Sequence, residues 1–246
     1  MFDFTGKNVI VTGGCAGLGR GIAAAFTKAG ARTLVMDVSD RIDEIVREDG
    51  HAFSVRVDLA DRADLKAGFE KAMELLGGRL DVLVNCAGVQ KRHECEDFPL
   101  SDWDFVLEVN LNAVFELCQL AGRVMLGQGG GKIVNIASML SFFGGLRVPA
   151  YSASKGGVMQ LTRALAVAWA GKNIQVNAIA PGYMDTEMNT ALVNDPVRSA
   201  SILSRIPAGR WGTPEDVAGP VLFLASNAAD YLSGAILPVD GGYLSC

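Results

Sequence analysis

KNVIVTGGCAGLG, residues 7–19, joins an apolar β-strand pattern directly to a glycine-rich turn, and a helical pattern follows. Glycine is needed in such a turn where a side chain would collide with nearby backbone. The N–H groups of the turn and the N-terminal end of the helix then form a site suited to a pyrophosphate. The spacing of Gly13, Gly17 and Gly19 departs from G-x-G-x-x-G, so the turn alone is a weak indication. Its position after the first strand strengthens the prediction.

Six further apolar runs of strand length continue the pattern along the chain. They are residues 31–38, 51–57, 80–85, 131–137, 173–180 and 234–240. Their nearly continuous apolar character is typical of parallel strands covered on both faces. Helical stretches separate them, with starts indicated by Ser101 with Asp104 and by Thr213 with Asp216. The alternation predicts an α/β fold over residues 1–246: one Rossmann-type, doubly wound domain with a seven-stranded parallel sheet and helices on both faces.

Composition narrows the class of protein. The chain has 246 residues, a net charge of −5 and 50% hydrophobic residues, as expected of a globular protein. The acidic balance gives no reason to expect nucleic acid or an anionic membrane as partner. No apolar run approaches the roughly 18 residues of a membrane span, and the N-terminus lacks a signal-peptide pattern. We therefore expect a cytoplasmic protein.

The cysteines and histidines predict no metal site. His93 and Cys95 lie close together, but two ligands do not form a zinc site, and an exposed polar loop is the better interpretation. The odd number of cysteines favours free thiols in a reducing compartment. They are Cys15, Cys86, Cys95, Cys118 and Cys246.

Residues 183–210 interrupt the strand–helix rhythm. The segment has mixed polarity and contains Pro196 and Pro207. Long excursions inside a compact domain are usually functional. A lid over a substrate and a surface helical insertion are about equally well supported by this segment alone.

Asp37 ends the second predicted strand, after the glycine turn. A carboxylate at this position can accept hydrogen bonds from an adenosine ribose and would repel a 2′-phosphate. No Arg or Lys interrupts the turn to bind that phosphate. The pattern favours NAD over NADP, although Asp37 without the turn would be read as a solvated strand end.

Residues 138–155, SMLSFFGGLRVPAYSASK, contain the candidate reacting groups. Tyr151 and Lys155 lie one turn apart on the same face of a predicted helix. A nearby ammonium favours the phenolate and is expected to lower the pKa of Tyr151, which can then exchange a proton with an alcohol. Ser138 follows the fifth strand, where it can hold the substrate oxygen. Each feature is common by chance, but together with the glycine turn they are a strong signal.

These motifs resemble the short-chain dehydrogenase/reductase family over essentially the whole chain. The matching residues are TGGCAGLG (12–19), Asp58, NCAG (85–88), Asn110 in VNLN, Ser138, Tyr151 with Lys155, and PGYMDT (181–186). The family usually has NNAG where this chain has NCAG, which makes the hydrogen bonding around Cys86 an open point. The resemblance also suggests a homotetramer, and the long helical patterns at 101–127 and 150–171 are apolar on more than one face.

The resemblance implies roles for individual residues. Asp58 should contact the adenine, Asn85 should steady the sheet, and Asn110 should hold a water that links Lys155 to solvent. Lys155 should also bind the nicotinamide ribose, and Thr186 the carboxamide side. Catalysis is assigned to Asn110, Ser138, Tyr151 and Lys155. The expected cofactor contacts are Gly13, Cys15, Gly17, Leu18, Gly19, Asp37, Asp58, Leu59, Asn85, Ala87, Gly88, Tyr151, Lys155, Pro181, Gly182 and Thr186.

Basic residues near the predicted pocket suggest an acidic substrate. Lys91, Arg92 and His93 follow the fourth strand, and Arg147 lies four residues before Tyr151. An arginine can bind a carboxylate in a bidentate manner, so Arg92 and Arg147 are the candidate substrate contacts. Solvated loop charges are an equally good interpretation of Lys91 and His93, and a poorer one of Arg147.

Three segments resemble one branch of the family more closely. AGVQKR (87–92), IASMLSFFGGLRVPAYSASK (136–155) and RIPAGRWG (205–212) are similar to the 2-deoxy-D-gluconate 3-dehydrogenase group. That group is also described as 2-dehydro-3-deoxy-D-gluconate 5-dehydrogenases, and gluconate 5-dehydrogenases are near relatives. The resemblance implies reaction at a secondary hydroxyl of a sugar acid, without fixing which hydroxyl or which direction.

Two other functions fit less well. A 3-oxoacyl-carrier reductase of the same fold usually favours NADP and a basic patch, against which Asp37 and the net charge of −5 argue. A non-catalytic nucleotide-binding sensor would need the glycine turn but not Asn110, Ser138, Tyr151 and Lys155 together.

Overall fold

Seven β-strands form one parallel sheet in the computed structural model, which describes residues 2–245. The strands are β1 (Asn8–Thr12), β2 (Arg32–Asp37), β3 (Phe53–Arg56), β4 (Val82–Asn85), β5 (Gly131–Ile136), β6 (Ile174–Pro181) and β7 (Ile236–Val239). Their order across the sheet is β3-β2-β1-β4-β5-β6-β7. The apolar residues of β1, β2, β4, β5 and β6 are buried between two layers of helices, as the continuous hydrophobic runs predict, whereas those of the edge strand β7 are only partly buried. The predicted α/β fold is confirmed, and each predicted strand ends within two residues of its observed counterpart.

Helices cover both faces of the sheet. They are α1 (Gly17–Lys28), α2 (Ile42–Glu48), α3 (Arg62–Leu75), α4 (Leu100–Leu107), α5 (Ala113–Gln128), α6 (Pro149–Trp169), α7 (Thr190–Val193), α8 (Pro196–Leu203) and α9 (Pro214–Ala225). One apolar core joins the sheet to α1, α2 and α9. The other joins it to α3, α5 and α6. A wider helical turn at Glu108–Asn112 separates α4 from α5.

The two predicted helix starts have different outcomes. Thr213 precedes α9 as predicted, and its backbone N–H donates to Asp216 Oδ2 at 2.8 Å. The capping box at Ser101 is wrong, because α4 begins at Leu100 and Pro99 occupies the N-cap position. Proline fixes its own backbone in a suitable conformation and moves the start ahead of the serine.

The excursion at residues 183–210 is largely helical and is closed at its base. Tyr183 O accepts from Gly212 N at 2.9 Å, and Asp185 N donates to Gly212 O at 2.8 Å. Within the loop lie a short turn at Glu187–Asn189 and the helices α7 and α8. The loop therefore leaves and rejoins the domain at one point, beyond the carboxyl end of β6.

The helical segment Leu100–Gln128 is, within residues 2–245, the one long and apolar enough to span a membrane by length and composition. Half of its most apolar window is buried inside the protein, and core helices of soluble proteins pass the same test. The expected absence of a membrane partner stays a prediction.

The four described cysteines are free. Cys15 and Cys118 are buried, Cys86 is half-buried and Cys95 is exposed. Cys246 lies outside the described residues.

Candidate active site

A cavity of about 510 Å³ opens at the carboxyl ends of β1, β2, β4, β5 and β6. The chain order reverses across β1, which lies between β2 and β4, and open α/β sheets bind ligands at such switch points. The predicted site residues that line the cavity are Gly13, Gly17, Leu18, Gly19, Asp37, Asp58, Leu59, Ala87, Gly88, Ser138, Tyr151, Lys155, Pro181, Gly182 and Thr186. Cys15, Asn85, Asn110, Arg92 and Arg147 are not among the lining residues.

The glycine turn has the shape that a dinucleotide requires. Gly13 has φ +68°, and a Cβ atom there would lie 2.7 Å from Ala87 Cα. A Cβ atom at Gly19 would collide with the Gly13 carbonyl oxygen. Gly17, with φ +49°, faces Thr186 and Glu187 across the cavity. No side chain at these three glycines covers the backbone at the start of α1, so its N–H groups can approach a pyrophosphate.

Asp37 is held by backbone groups at the rim of this turn. Its Oδ2 accepts from Cys15 N at 3.0 Å and its Oδ1 from Ser39 N at 3.0 Å. Burial, and then the Asp37 carboxylate, raise the pKa of the Cys15 thiol to about 12. Cys15 therefore contributes a neutral thiol and a backbone donor that orients Asp37.

Two other predicted cofactor residues have structural partners. Asp58 caps the chain after β3, where its Oδ1 accepts from Ala60 N at 2.9 Å. Asn85 joins two strands, because its Nδ2 donates to Asn135 Oδ1 on β5 at 2.9 Å. This inter-strand bond corresponds to the sheet-steadying role that the resemblance implies.

Ser138, Tyr151 and Lys155 meet at the inner wall of the cavity. Ser138 follows β5, and its hydroxyl accepts from Leu140 N at 3.1 Å. The side chain of Lys155 is 3% exposed, and its Nζ donates to Ile136 O at 2.6 Å. That nitrogen lies 5.7 Å from the centre of the Tyr151 ring.

The predicted low pKa of Tyr151 is wrong for this arrangement. Burial raises the pKa of Tyr151 to about 12, against a smaller lowering by the hydrogen bond with Ser138. Burial also lowers the pKa of Lys155 to about 8. Desolvation dominates because the ammonium donates to a backbone carbonyl and does not contact the phenol directly.

Asn110 lies in the wide turn Glu108–Asn112 and is fully buried. Its Oδ1 accepts from Val89 N at 2.8 Å and its Nδ2 donates to Val89 O at 2.9 Å. A Cβ atom at Gly88 would lie 3.4 Å from Asn110 Oδ1 and 3.6 Å from Lys155 Nζ. Asn110 and Lys155 therefore flank the same point of the backbone.

Three of the four basic residues considered for the substrate contact carboxylates of the protein itself. Lys91 Nζ and His93 Nε2 lie 3.6 Å and 2.6 Å from the two carboxylate oxygens of Asp102. Arg147, in the left-handed region at φ +64°, places its Nε 3.0 Å from Glu94 Oε1. Arg92 instead donates twice to the neutral Gln90 Oε1, at 3.1 and 2.7 Å. The sequence predicts all four basic residues near one pocket. Of the four, only Arg92 has no carboxylate partner among residues 2–245.

Several site residues were not predicted. Thr12 Oγ1 accepts from Cys86 N and Ala87 N at 3.0 and 3.1 Å, which ties the end of β1 to the loop after β4. A polar residue ending an apolar strand is the signal that could have identified it. Others line the cavity without a motif of their own: Phe105, Val109, Glu187, Met188 and Asn189.

No group of three or more His, Cys, Asp or Glu side chains suited to a metal ion occurs among residues 2–245.

Comparison with known proteins identifies the family. A family model described as Enoyl-(Acyl carrier protein) reductase matches residues 13–244. The 2-dehydro-3-deoxy-D-gluconate 5-dehydrogenase of Bacillus subtilis is 48% identical over 249 residues, covering 99% of this chain and 97% of that protein.

Solved structures agree with this relationship. One from Beutenbergia cavernae, with NADP bound at low occupancy, has a TM-score of 0.94 and 47% identity and covers 100% of this chain and 99% of its own. A gluconate 5-dehydrogenase from Burkholderia cenocepacia, in complex with NADP and tartrate, has a TM-score of 0.93 and 37% identity. The match covers 100% of this chain and 98% of that one. With its glycine turn, buried lysine and tyrosine at the same cavity, the chain belongs to the short-chain dehydrogenase/reductase family, whose members bind a nicotinamide cofactor.

Proposed function

We propose that the protein is an NAD-dependent oxidoreductase that interconverts a secondary alcohol and a ketone on a sugar acid. The substrate class is 2-deoxygluconate or 2-dehydro-3-deoxygluconate. The observation that carries the reaction type is the meeting of Ser138, Tyr151 and Lys155 in one cavity with the glycine turn. The substrate class is supported by the 48% identical relative named for 2-dehydro-3-deoxy-D-gluconate.

Three side chains would act at the reacting oxygen: Ser138, Tyr151 and Lys155. A bound nicotinamide dinucleotide supplies the hydride donor or acceptor. Ser138 holds the substrate oxygen, and Tyr151 exchanges a proton with it. The pKa of about 12 keeps Tyr151 protonated at neutral pH, so it is ready to donate to a ketone oxygen. Lys155, mostly protonated below its pKa of about 8, stabilises the tyrosinate that donation leaves.

Asn110 and Lys155 are proposed to continue the proton path to solvent. Both flank Gly88, and Asn110 is fixed by two hydrogen bonds to Val89. A water at this position could accept from Lys155 and pass a proton outward.

NAD is proposed as the preferred cofactor because Asp37 presents a carboxylate at the rim of the glycine turn. The NADP in the structures of two relatives supports NADP binding by those proteins. Gly13, Gly17 and Gly19 would receive the pyrophosphate, Asp37 the adenosine ribose, Asp58 with Leu59 the adenine, and Thr186 the carboxamide.

The excursion at residues 183–210 is proposed as a lid over the substrate. Met184, Thr186, Glu187, Met188 and Asn189 line the cavity, which supports contact between this segment and bound ligands.

Assembly and location are proposed from the surface of the protein. A homotetramer is supported by exposed apolar residues on helices, among them Phe115 and Val167. We further propose a cytoplasmic enzyme whose partners are small acidic sugars and copies of itself.

The test is NADH formation by purified protein with NAD and 2-dehydro-3-deoxy-D-gluconate, in parallel with D-gluconate, and with NADP in place of NAD. We expect turnover with the keto acid and a kcat/KM for NAD at least about tenfold above that for NADP, equivalent to about 1.4 kcal/mol. D-gluconate is included because one structural relative is a gluconate 5-dehydrogenase. Binding of NADH without turnover of either acid, or faster turnover of a 3-oxoacyl thioester, would refute the substrate class.

A further inference from the structure

One hydroxyl group links the backbones of two of the proposed catalytic residues. Ser141 ends a short 3₁₀ helix, Met139–Ser141, which follows Ser138 directly. The Oγ atom of Ser141 accepts from Ser138 N at 3.3 Å and donates to Lys155 O at 2.7 Å. Ser141 therefore bridges the loop after β5, which carries Ser138, and the helix α6, which carries Lys155.

The short helix also sets the direction of the Ser138 hydroxyl. Ser138 Oγ accepts from Leu140 N at 3.1 Å, and Ser138 O accepts from Ser141 N at 2.9 Å. A hydroxyl group has two lone pairs and one proton. The bond from Leu140 uses one lone pair and restricts rotation, while the proton stays available for a substrate oxygen. The orientation of this hydroxyl therefore depends on where the short helix lies.

Other contacts hold the loop after β5 in place. Met139 is 4% exposed and packs in one apolar cluster with Tyr243, near the C-terminus. Gly145 N donates to Ser152 Oγ on α6 at 3.2 Å. We therefore expect the loop to stay folded without the Ser141 hydroxyl, so that a variant at this position can be purified and measured.

The distance between the loop and α6 matters because the reacting groups come from both. Ser138 lies on the loop, whereas Tyr151 and Lys155 lie on α6. Lys155 is already fixed at its far end, since its Nζ donates to Ile136 O at 2.6 Å. Misplacement of a reacting group by about 1 Å can cost about 100-fold in rate. A hydroxyl group bonded to both segments limits such misplacement.

We propose that Ser141 is a positioning residue, which holds the Ser138 hydroxyl in register with Tyr151 and Lys155. The inference rests on the proposed function and adds to it a residue that acts on the reaction through Ser138. Ser141 itself is bonded to backbone atoms on both sides, and its effect on the reaction is indirect.

The experiment compares Ser141→Ala, which removes the hydroxyl, with Ser141→Thr, which retains it. Ser226→Ala, at the end of α9, is the matched control. Ser226 is also half-buried, and its Oγ likewise donates to a backbone carbonyl, Phe223 O at 2.8 Å, and accepts from a backbone N–H, Ala228 N at 3.2 Å. Steady-state kinetics with NAD and 2-dehydro-3-deoxy-D-gluconate give kcat and KM, and fluorescence titration gives the Kd of NADH.

We expect Ser141→Ala to lower kcat about tenfold, with KM and the Kd of NADH changed by less than about threefold. Ser141→Thr should retain kcat within about threefold of the wild type. Ser226→Ala should leave kcat unchanged, because the bonds that it removes lie outside the site.

A double-mutant cycle tests whether the effect passes through Ser138. In a Ser138→Ala background, Ser141→Ala should lower kcat by less than about twofold more, since the group that it positions is already absent. Hydrogen exchange of the Leu140 amide, measured without substrate, should be at least about tenfold faster in Ser141→Ala than in the wild type or Ser226→Ala.

The inference is overturned by an unchanged kcat in Ser141→Ala, by an equal loss in Ser226→Ala, or by the full tenfold loss in the Ser138→Ala background. Failure of the proposed function is distinguishable from this failure. Wild-type turnover of the keto acid with an unaffected Ser141→Ala refutes only the positioning role. Faster exchange at Leu140 in Ser141→Ala alone, in a protein that does not turn over sugar acids, supports the bridge to α6 and refutes the reaction.

Discussion

Burial of the charged Lys155 side chain lowers the free energy of unfolding of the protein. Its pKa of about 8 means that above this pH the folded protein has released a proton that the unfolded chain retains until about pH 10.4. The unfolded state then binds more protons, so the free energy of unfolding rises with pH in this window. Below pH 8 both states carry the charge, and the residue adds no pH dependence.

Replacing Lys155 by Met should remove this pH dependence. Between pH 8 and about pH 9.5 the unfolding free energy of the wild type should rise by about 2 kcal/mol relative to the variant. Urea unfolding at a series of pH values measures the difference. Lys66→Met, an exposed position on α3, serves as the control and should follow the wild type. Parallel pH curves for Lys155→Met and the wild type would contradict a desolvated Lys155.

At the residue scale, spacing predicted which side chains meet but not their electrostatics. Tyr151 and Lys155 lie together because a helix places them one turn apart. Whether burial or a neighbouring charge governs the pKa of Tyr151 depends on atoms from β5 and the loop after it. The pairing of Arg147 with Glu94 likewise depends on a contact between segments that are distant in sequence.

At the scale of elements, the glycine turn is the part whose shape the sequence specifies most directly. Ala at position 13 would need φ +68° and would place its Cβ 2.7 Å from Ala87 Cα. The backbone strain alone costs about 1–3 kcal/mol, and moving the loop after β4 would disturb the cavity.

Gly13→Ala should therefore weaken NADH binding at least about tenfold and lower the Tm. Fluorescence titration with NADH and thermal unfolding measure the two effects. Gly127→Ala in α5, where a Cβ atom meets nothing within 4 Å, is the matched control. It should bind NADH normally and be slightly more stable, because alanine favours a helix. Equal NADH affinity in the two variants would contradict the assigned role of the turn.

The strands were predictable because burial on both faces leaves a continuous apolar run. The ends of helices were harder to predict from the sequence. Ser101 has the pattern of a helix cap, yet Pro99 occupies the N-cap position of α4. The helices of the lid were not predicted individually. Their short lengths give little periodicity, and α8 is held by contacts such as Ser199 with Trp211, outside its own sequence.

At the scale of the whole molecule, the strand order assembles the site. Because β1 lies between β2 and β4, the glycine turn, Asp37 and the loop after β4 meet at one edge of the sheet. The sequence predicted a doubly wound sheet but not this order, since pairing between strands depends on the complete fold.

Apolar surface remains on the helices that follow β4. The segment Leu100–Gln128 is apolar along its length, yet only half of its most apolar window is buried. Phe115 and Leu126 are 47% and 42% exposed. Such a surface on an acidic, globular chain favours association with another copy, in agreement with the proposed homotetramer.

Tyr151 is proposed as the proton-transferring group of a nicotinamide-dependent dehydrogenase. Its most direct test is the rate of NADH formation by Tyr151→Phe beside the wild type, with NADH affinity measured in both by fluorescence titration. We expect a loss of at least about 100-fold in kcat, typical of a removed general acid or base, with NADH affinity nearly unchanged. Turnover by Tyr151→Phe at the wild-type rate would contradict it.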